Sequence, residues 1–340
     1  MREVLEEARP SIARAELLGQ QVPYAFAAPP EQAFQGRLET GLRAVAATLD
    51  LATLPAEAPL CLGSSSLVIG LIEGLPWPLA PEHLPVDDLD ERIRQAWGLR
   101  NTGWTFSSAC LSSAHALDAA ARLIATGATE EALVIGVEVF NRLALAGFSS
   151  LRLLAPDHSR PLDLNRNGMV LGEAIAAVRL QARPSAFRIH LPALALDTGN
   201  LTGHSEDGST IAAVMAEAIG QARLHPNDLL AVKAQASGSP GADAIEARAL
   251  RQIFGTRLPA IFSMKAALGH TLGASGVAEL AALRFCAEAR WLPPTAGFST
   301  RDDALGLIPL AAPMPWERGP VLFNLQGFGG GLASWVVEPC

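Results

Sequence analysis

Cysteine is sparse in this 340-residue chain, and its four copies are not paired by spacing. Cys61, Cys110, Cys286 and Cys340 contain no C-x-x-C, so neither a zinc site nor a disulfide framework is expected, and the pattern suits a reducing, cytoplasmic setting. Positive charge is in deficit. Against 34 Asp and Glu stand 26 Lys and Arg, a net charge of −8, whose field repels phosphate and argues against nucleic acid or an anionic membrane as a partner. No apolar run is long enough to span a bilayer. The opening Met1-Arg2-Glu3-Val4-Leu5-Glu6-Glu7 is acidic and lacks an apolar core segment, so it is not a secretory signal. A dinucleotide fingerprint is missing too, because Leu332 occupies the place that the last glycine of G-x-G-x-x-G would need after Gly327.

What is present is a well-cored composition: 49% hydrophobic, 18% charged, with 30 Gly. Such a chain fits a globular enzyme of roughly two domains or one duplicated α/β unit. Residues 1 to about 60 read as helical stretches separated by Ala27-Ala28-Pro29-Pro30. Leu60 to Gly63 reads as a buried strand, Pro76 to about Asn101 as surface loop and helix, and Ser112 to Thr126 as a helix apolar almost all round, stopped at Gly127. Ala132 to Val139 is a continuous apolar run typical of a parallel strand covered on both faces. Strands alternating with buried helices indicate a layered α/β fold. A split near residue 185 exposes an internal echo, since Gly168 to Val178 and Gly327 to Val337 are both glycine-rich turns running into apolar strands.

Chemistry concentrates at strand ends. Cys110, in Trp104-Thr105-Phe106-Ser107-Ser108-Ala109-Cys110-Leu111-Ser112-Ser113, is the candidate nucleophile. At the first turn of a buried helix its thiol would face unpaired N–H groups that favour thiolate. Three further segments join a strand end to small residues carrying one or two polar groups: Val232 to Glu246, Phe262 to Gly276 and Phe323 to Gly331. Taken singly, His270 reads as a histidine satisfied by backbone groups, Lys265 and Glu246 as a surface pair, and His115 as a core histidine.

The order Ser107-Ser108-Ala109-Cys110, Arg160 to Gly168 leading into Val170-Leu171-Gly172-Glu173, Gly238-Ser239-Pro240 to Glu246, Ser263 to His270, and Gly327-Phe328-Gly329-Gly330 resembles the β-ketoacyl-acyl-carrier-protein synthases of the thiolase-like superfamily from about residue 60 onward. The resemblance implies a five-layered αβαβα fold of two similar halves, 1–185 carrying Cys110 and 186–340 carrying Gln235, Lys265, His270 and Phe328. It implies a dimer with no cofactor and no metal. Cys110 would take an acyl chain from an acyl carrier protein as a thioester, and a malonyl-carrier thioester would then be decarboxylated to attack it. The N–H groups of Cys110 and Phe328 would form an oxyanion hole. His270 would steady the malonyl carbonyl, with Lys265 and Glu246 as the charged pair behind it. Phe328 would gate the acyl pocket, and Gly329, Ser237 and Ser239 would line the substrate path.

The chain departs from that pattern at Gln235, where the family has the histidine of H-G-T-G-T-P. An amide donates a hydrogen bond but neither takes up nor delivers a proton near neutral pH, so loading of Cys110 is expected and decarboxylation is the step in question. Gln326 stands where the family commonly has an aromatic beside the glycine turn. Nor is there a counterpart of the family's opening strand, so the first half reads as abridged, with an edge that favours a partner. Two readings follow: a condensing acyltransferase of fatty-acid or polyketide synthesis, working as a homodimer or heterodimer, or a non-condensing subunit resembling the chain-length factors. Priming from a coenzyme A thioester is a third.

Overall fold

The computed structural model describes residues 5, 12–17, 19–75, 88–100, 102–199 and 204–340. The opening heptapeptide apart from Leu5, and residues 76–87 of the stretch expected to be surface loop and helix, lie outside them.

Residues 12–25 correct the expectation of helix. They form an antiparallel hairpin of β1 (Ile12–Leu17) and β2 (Gln20–Ala25), turning at Gly19 with φ +77°. Alternation shows in β1, where Ala15 and Leu17 are buried and Arg14 and Glu16 exposed, a period of two that the helix-favouring Ala, Glu and Leu obscure; in β2 Gln20 and Gln21 are exposed, and Pro23, Tyr24 and Ala25 are buried. The helix expected in this region is Phe34–Thr48.

Two sheets share one topology. In the first, β3 (Leu60–Gly63) lies parallel between β4 (Gly103–Phe106) and β5 (Glu131–Glu138), and β5 pairs antiparallel with β7 (Ala174–Gln181); the short β6 (Leu171–Gly172) pairs with β2 instead. The second sheet carries β8 (Phe187–Ile189) and β9 (Ala193–Leu196) at its edge. There β10 (Ala231–Lys233) lies parallel between β11 (Ala260–Phe262) and β14 (Val321–Gln326), and β14 pairs antiparallel with β15 (Gly331–Pro339). β12 (Trp291–Leu292) and β13 (Met314–Pro315) form a separate antiparallel pair.

Side chains alternate between layers, as strands require. From the first sheet, Leu60, Leu62, Leu133, Ile135 and Val137 pack outward with Phe34, Leu38 and Leu42 of the helix Phe34–Thr48. Cys61 and Val134 point inward to Ala114, Leu117 and Ala120 of the helix Ser112–Ala125 and to Val277, Leu280 and Leu283 of the helix Ser275–Ala289. Phe262, Phe323 and Trp335 of the second sheet close that central layer, while Val232, Ile261, Leu322 and Val336 face the outer helices Ser209–Gln221 and Pro240–Phe254. The result is the five-layered αβαβα fold of two similar halves. Burial on both faces accounts for the continuous apolar strands, and small residues on the central helices allow close packing: a Cβ at Gly276 would lie 3.0 Å from Ala114 N.

Candidate active site

The nucleophile elbow follows β4. Ala109 has φ +47°, a left-handed conformation that costs a non-glycine residue about 1 kcal/mol or more, and the turn is stapled by Ser112, whose Oγ accepts from Ser108 N–H at 2.9 Å and donates to Ala109 O at 2.7 Å. The helix begins at Ser112, so Cys110 lies before its first turn. The expected thiolate bias is not what the surroundings produce: burial pushes the Cys110 thiol up, and the Lys265 charge and the N–H groups of Phe328 and of Cys110 itself only partly pull it back. Those opposing groups still set Cys110 apart. Cys61 and Cys286 are pushed up to about 12 by burial alone. The hairpin absent from the sequence reading lies close by, since Ala15, Leu17, Tyr24 and Cys110 share one apolar cluster.

Cys110 and His270 line one cavity of about 90 Å³, with Gln235, Ser237, Gln326 and Phe328 on its other walls. His270 is held by backbone on either side: its N–H donates to Val170 O at 2.8 Å, and its C=O accepts from Gly172 N–H at 3.0 Å. Three donors converge on Nδ1, namely Leu272 N–H at 3.3 Å, Ser275 Oγ at 3.3 Å and Lys265 Nζ at 3.5 Å. Burial, then the charges of Lys265 and Lys233, hold the imidazole well below its usual pKa. The ring is therefore neutral, Nδ1 accepts, and the proton resides on Nε2, which makes His270 a hydrogen-bond donor at that nitrogen.

The charged pair behind His270 differs from expectation. Lys265 pairs with Glu279 at 2.5 Å, and Lys233 pairs with the other oxygen of the same carboxylate. Glu246 instead accepts from the N–H groups of Gln235 and Ala236, each at 2.8 Å, and from Asn324 Nδ2 at 2.5 Å. Glu246 sits within the helix Pro240–Phe254 and faces back onto the loop that leads into it, so its carboxylate takes up the N–H groups of that loop instead of a lysine. Lys233 and Lys265 are the only lysines in the chain, and both are buried. That count, with Glu279 as the single acid in the apolar first half of its helix, was the signal in the sequence for the triad.

Around Gln235 the backbone is likewise fixed by carboxylates. Asp243 accepts from Leu162, Ser237 and Gly238 N–H, and burial pushes it up to about 7. Ser239 occupies the N-cap position of the helix Pro240–Phe254 with no capping bond from its side chain, and is not on the cavity wall. The glycine turn brings Gly327 against Cys110, and at Gly330 a Cβ would lie 1.9 Å from Asp197 O, so no other residue fits. Phe328 stacks obliquely on Phe148, ring centroids 5.2 Å apart, and also lines a second cavity of about 510 Å³ with Ala109, Leu111, His115, Leu196 and Gly329. Phe148, His204 and Asp243 are wall residues that the sequence motifs did not single out. Among the described residues no cluster of His, Cys, Asp or Glu is placed to hold a metal, and no helix is long and apolar enough to cross a membrane.

Comparison with known proteins agrees with this geometry. The N-terminal domain of beta-ketoacyl synthase matches residues 91–186 and its C-terminal domain residues 193–299. The highly reducing polyketide synthase FUM1 of Gibberella moniliformis is 32% identical over 74% of this chain and 10% of its own length. The 3-oxoacyl-[acyl-carrier-protein] synthase 2 of Mycobacterium leprae is 30% identical over 66% of this chain and 57% of its own. The chain thus spans a tenth of the first and just over half of the second. The structure of a ketosynthase, ApeO, in complex with its chain length factor, ApeC, from Xenorhabdus doucetiae superposes with a TM-score of 0.78 at 21% identity, covering 97% of this chain and 90% of that one. Matched domain models in the expected order, on a thiolase-like fold with cysteine and histidine lining one cavity, place this chain in the β-ketoacyl synthase family.

Proposed function

We propose that the chain accepts an acyl group from an acyl-carrier-protein thioester onto Cys110, as a ketosynthase of fatty-acid or polyketide synthesis. The observation that carries the reading is the meeting of Cys110 with two backbone N–H groups, its own and that of Phe328, in the cavity that His270 lines. In the transfer the Cys110 sulfur bonds to the thioester carbonyl carbon, the carrier's C–S bond breaks, and the carrier thiol leaves with the proton that Cys110 gives up. The N–H pair stabilises the oxyanion, a contribution of about 3 kcal/mol for each donor. The acyl chain extends past Phe328 into the larger cavity.

Condensation is the weaker half of this reading. His270 donates from Nε2, and Gln235 exchanges no proton. That supports a second reading, a partner subunit like a chain-length factor, favoured by Gln235. Either way a dimer suits the chain: β4 is a sheet edge with exposed Trp104, a strand that a second ketosynthase-like subunit would cover. The division into halves 1–185 and 186–340 belongs to the same proposal, as does a cytoplasmic setting without cofactor.

The test is intact mass after incubation with an acyl-carrier thioester. A one-acyl adduct that disappears in Cys110→Ala is the expected outcome. No adduct on the native chain would favour the partner-subunit reading.

A further inference from the structure

Four polar atoms of residues lining the Cys110 cavity have no hydrogen-bond partner among the described residues: Gln235 Oε1, Gln326 Oε1, Gln326 Nε2 and His204 Nδ1. Each belongs to a side chain more than nine-tenths buried. Elsewhere the same segments leave little unmatched. The backbone N–H groups at 235, 236, 237 and 238 all find carboxylate oxygens, and Asn324, two residues before Gln326, bonds both Glu246 and Ser334. Unmatched buried amides are costly, so atoms left open in the cavity that holds the nucleophile mark where ligand atoms belong.

The set also states what those atoms are. Gln326 offers an acceptor oxygen and an NH2 group of two donors, so its complement both donates and accepts. An alkyl group satisfies none of the four atoms. A carboxylate accepts only, and would set its oxygens against the amide oxygens of Gln235 and Gln326. A hydroxyl does both. The cavity of about 90 Å³ confines the group to the carbons nearest the thioester.

We propose that Gln235 and Gln326 select a hydroxylated acyl group, one carrying its hydroxyl on the second or third carbon, for attachment to Cys110. This rests on the acyl-transfer reading above and adds to it the class of substrate. The step keeps the same balance: the hydroxyacyl carbonyl carbon exchanges its bond to the incoming sulfur for one to Cys110 Sγ, and the released thiol carries the proton. The hydroxyl is bound and not consumed.

The experiment compares rates of adduct formation on the full chain from the N-acetylcysteamine thioesters of 3-hydroxybutanoate, butanoate and succinate, read by intact mass. The expected result is 3-hydroxybutanoyl loading about tenfold or more faster than either of the others, because a site built to hydrogen-bond a hydroxyl discriminates strongly against its absence. In Gln326→Leu that ratio falls toward one. Being a ratio within one sample, it is indifferent to the fraction of variant that folds. Equal loading of the three thioesters by the native chain, as when waters satisfy the amides, overturns the proposal, and so does an undiminished ratio in Gln326→Leu. Loading from none of the thioesters counts against the acyl-transfer reading instead.

Discussion

The His270 wall and the Gln235 wall of the cavity face the same cysteine, but the first has its ring anchored through Nδ1 inside the protein and the second leaves an amide oxygen open among the described residues. Behind His270, three donors fix Nδ1 and one carboxylate neutralises two lysines. Beside Gln235, carboxylates fix the backbone while the side-chain oxygen has no partner among the described residues. The first wall is finished before any ligand arrives, so it can present a preset donor without reorganising. The second is complete only when occupied, so it discriminates among ligands. Donor strength and selectivity are thus placed in different segments, and each can be altered with the other left standing.

Breaking the finished wall has the largest expected effect. Glu279→Gln leaves Lys233 and Lys265 buried without their counter-charge, and removing one partner of a buried ion pair costs about 3–5 kcal/mol. Urea denaturation is expected to show a loss of that size, and a change under 1 kcal/mol would mean that the lysines find other partners. Making the two walls alike is the next test. Gln235→His restores a group able to move a proton and is expected to raise malonyl-thioester decarboxylation by about 100-fold. An unchanged rate of carbon dioxide release would show that position 235 is not what limits this step. The smallest effect concerns pH. Asp243 is raised from 3.8 to about 7 in the folded chain, so the folded form holds a proton that the unfolded form releases between those values. The stabilisation it contributes is fully present below about 4 and is lost as pH rises through about 7. Asp243→Asn should flatten this part of the curve when denaturation midpoints at pH 5 and pH 7.5 are compared. A midpoint difference equal to that of the native chain would reject the assignment.

Much of this arrangement was legible in the residues. The apolar runs at Leu60 and Ala132 and the small-residue helix after Cys110 are doubly covered elements, and their patterns say so because burial on both faces removes polar alternation. Cys110, His270 and Phe328 were found through motif order, and they do meet around one cavity. Three features escaped. Half of the β1–β2 hairpin, β1, is rich in Ala, Glu and Leu, residues whose local preference is helical, and tertiary packing over the Cys110 region overrides it. Lys265 was assigned to Glu246 because both belong to matched motifs, whereas its partner Glu279 lies on the helix Ser275–Ala289, past the end of those motifs. The raised Cys110 thiol was illegible because position relative to a helix end depends on one or two residues, and because burial is a property of the assembled layers.

Both lysines of the chain being enclosed has a practical corollary. The folded surface carries its cationic side chains as arginine and offers reagents no side-chain amine, so an acylating or cross-linking probe specific for amines finds Lys233 and Lys265 only when the core around Glu279 opens. Their labelling rate is a built-in clock for the opening of the region that holds His270.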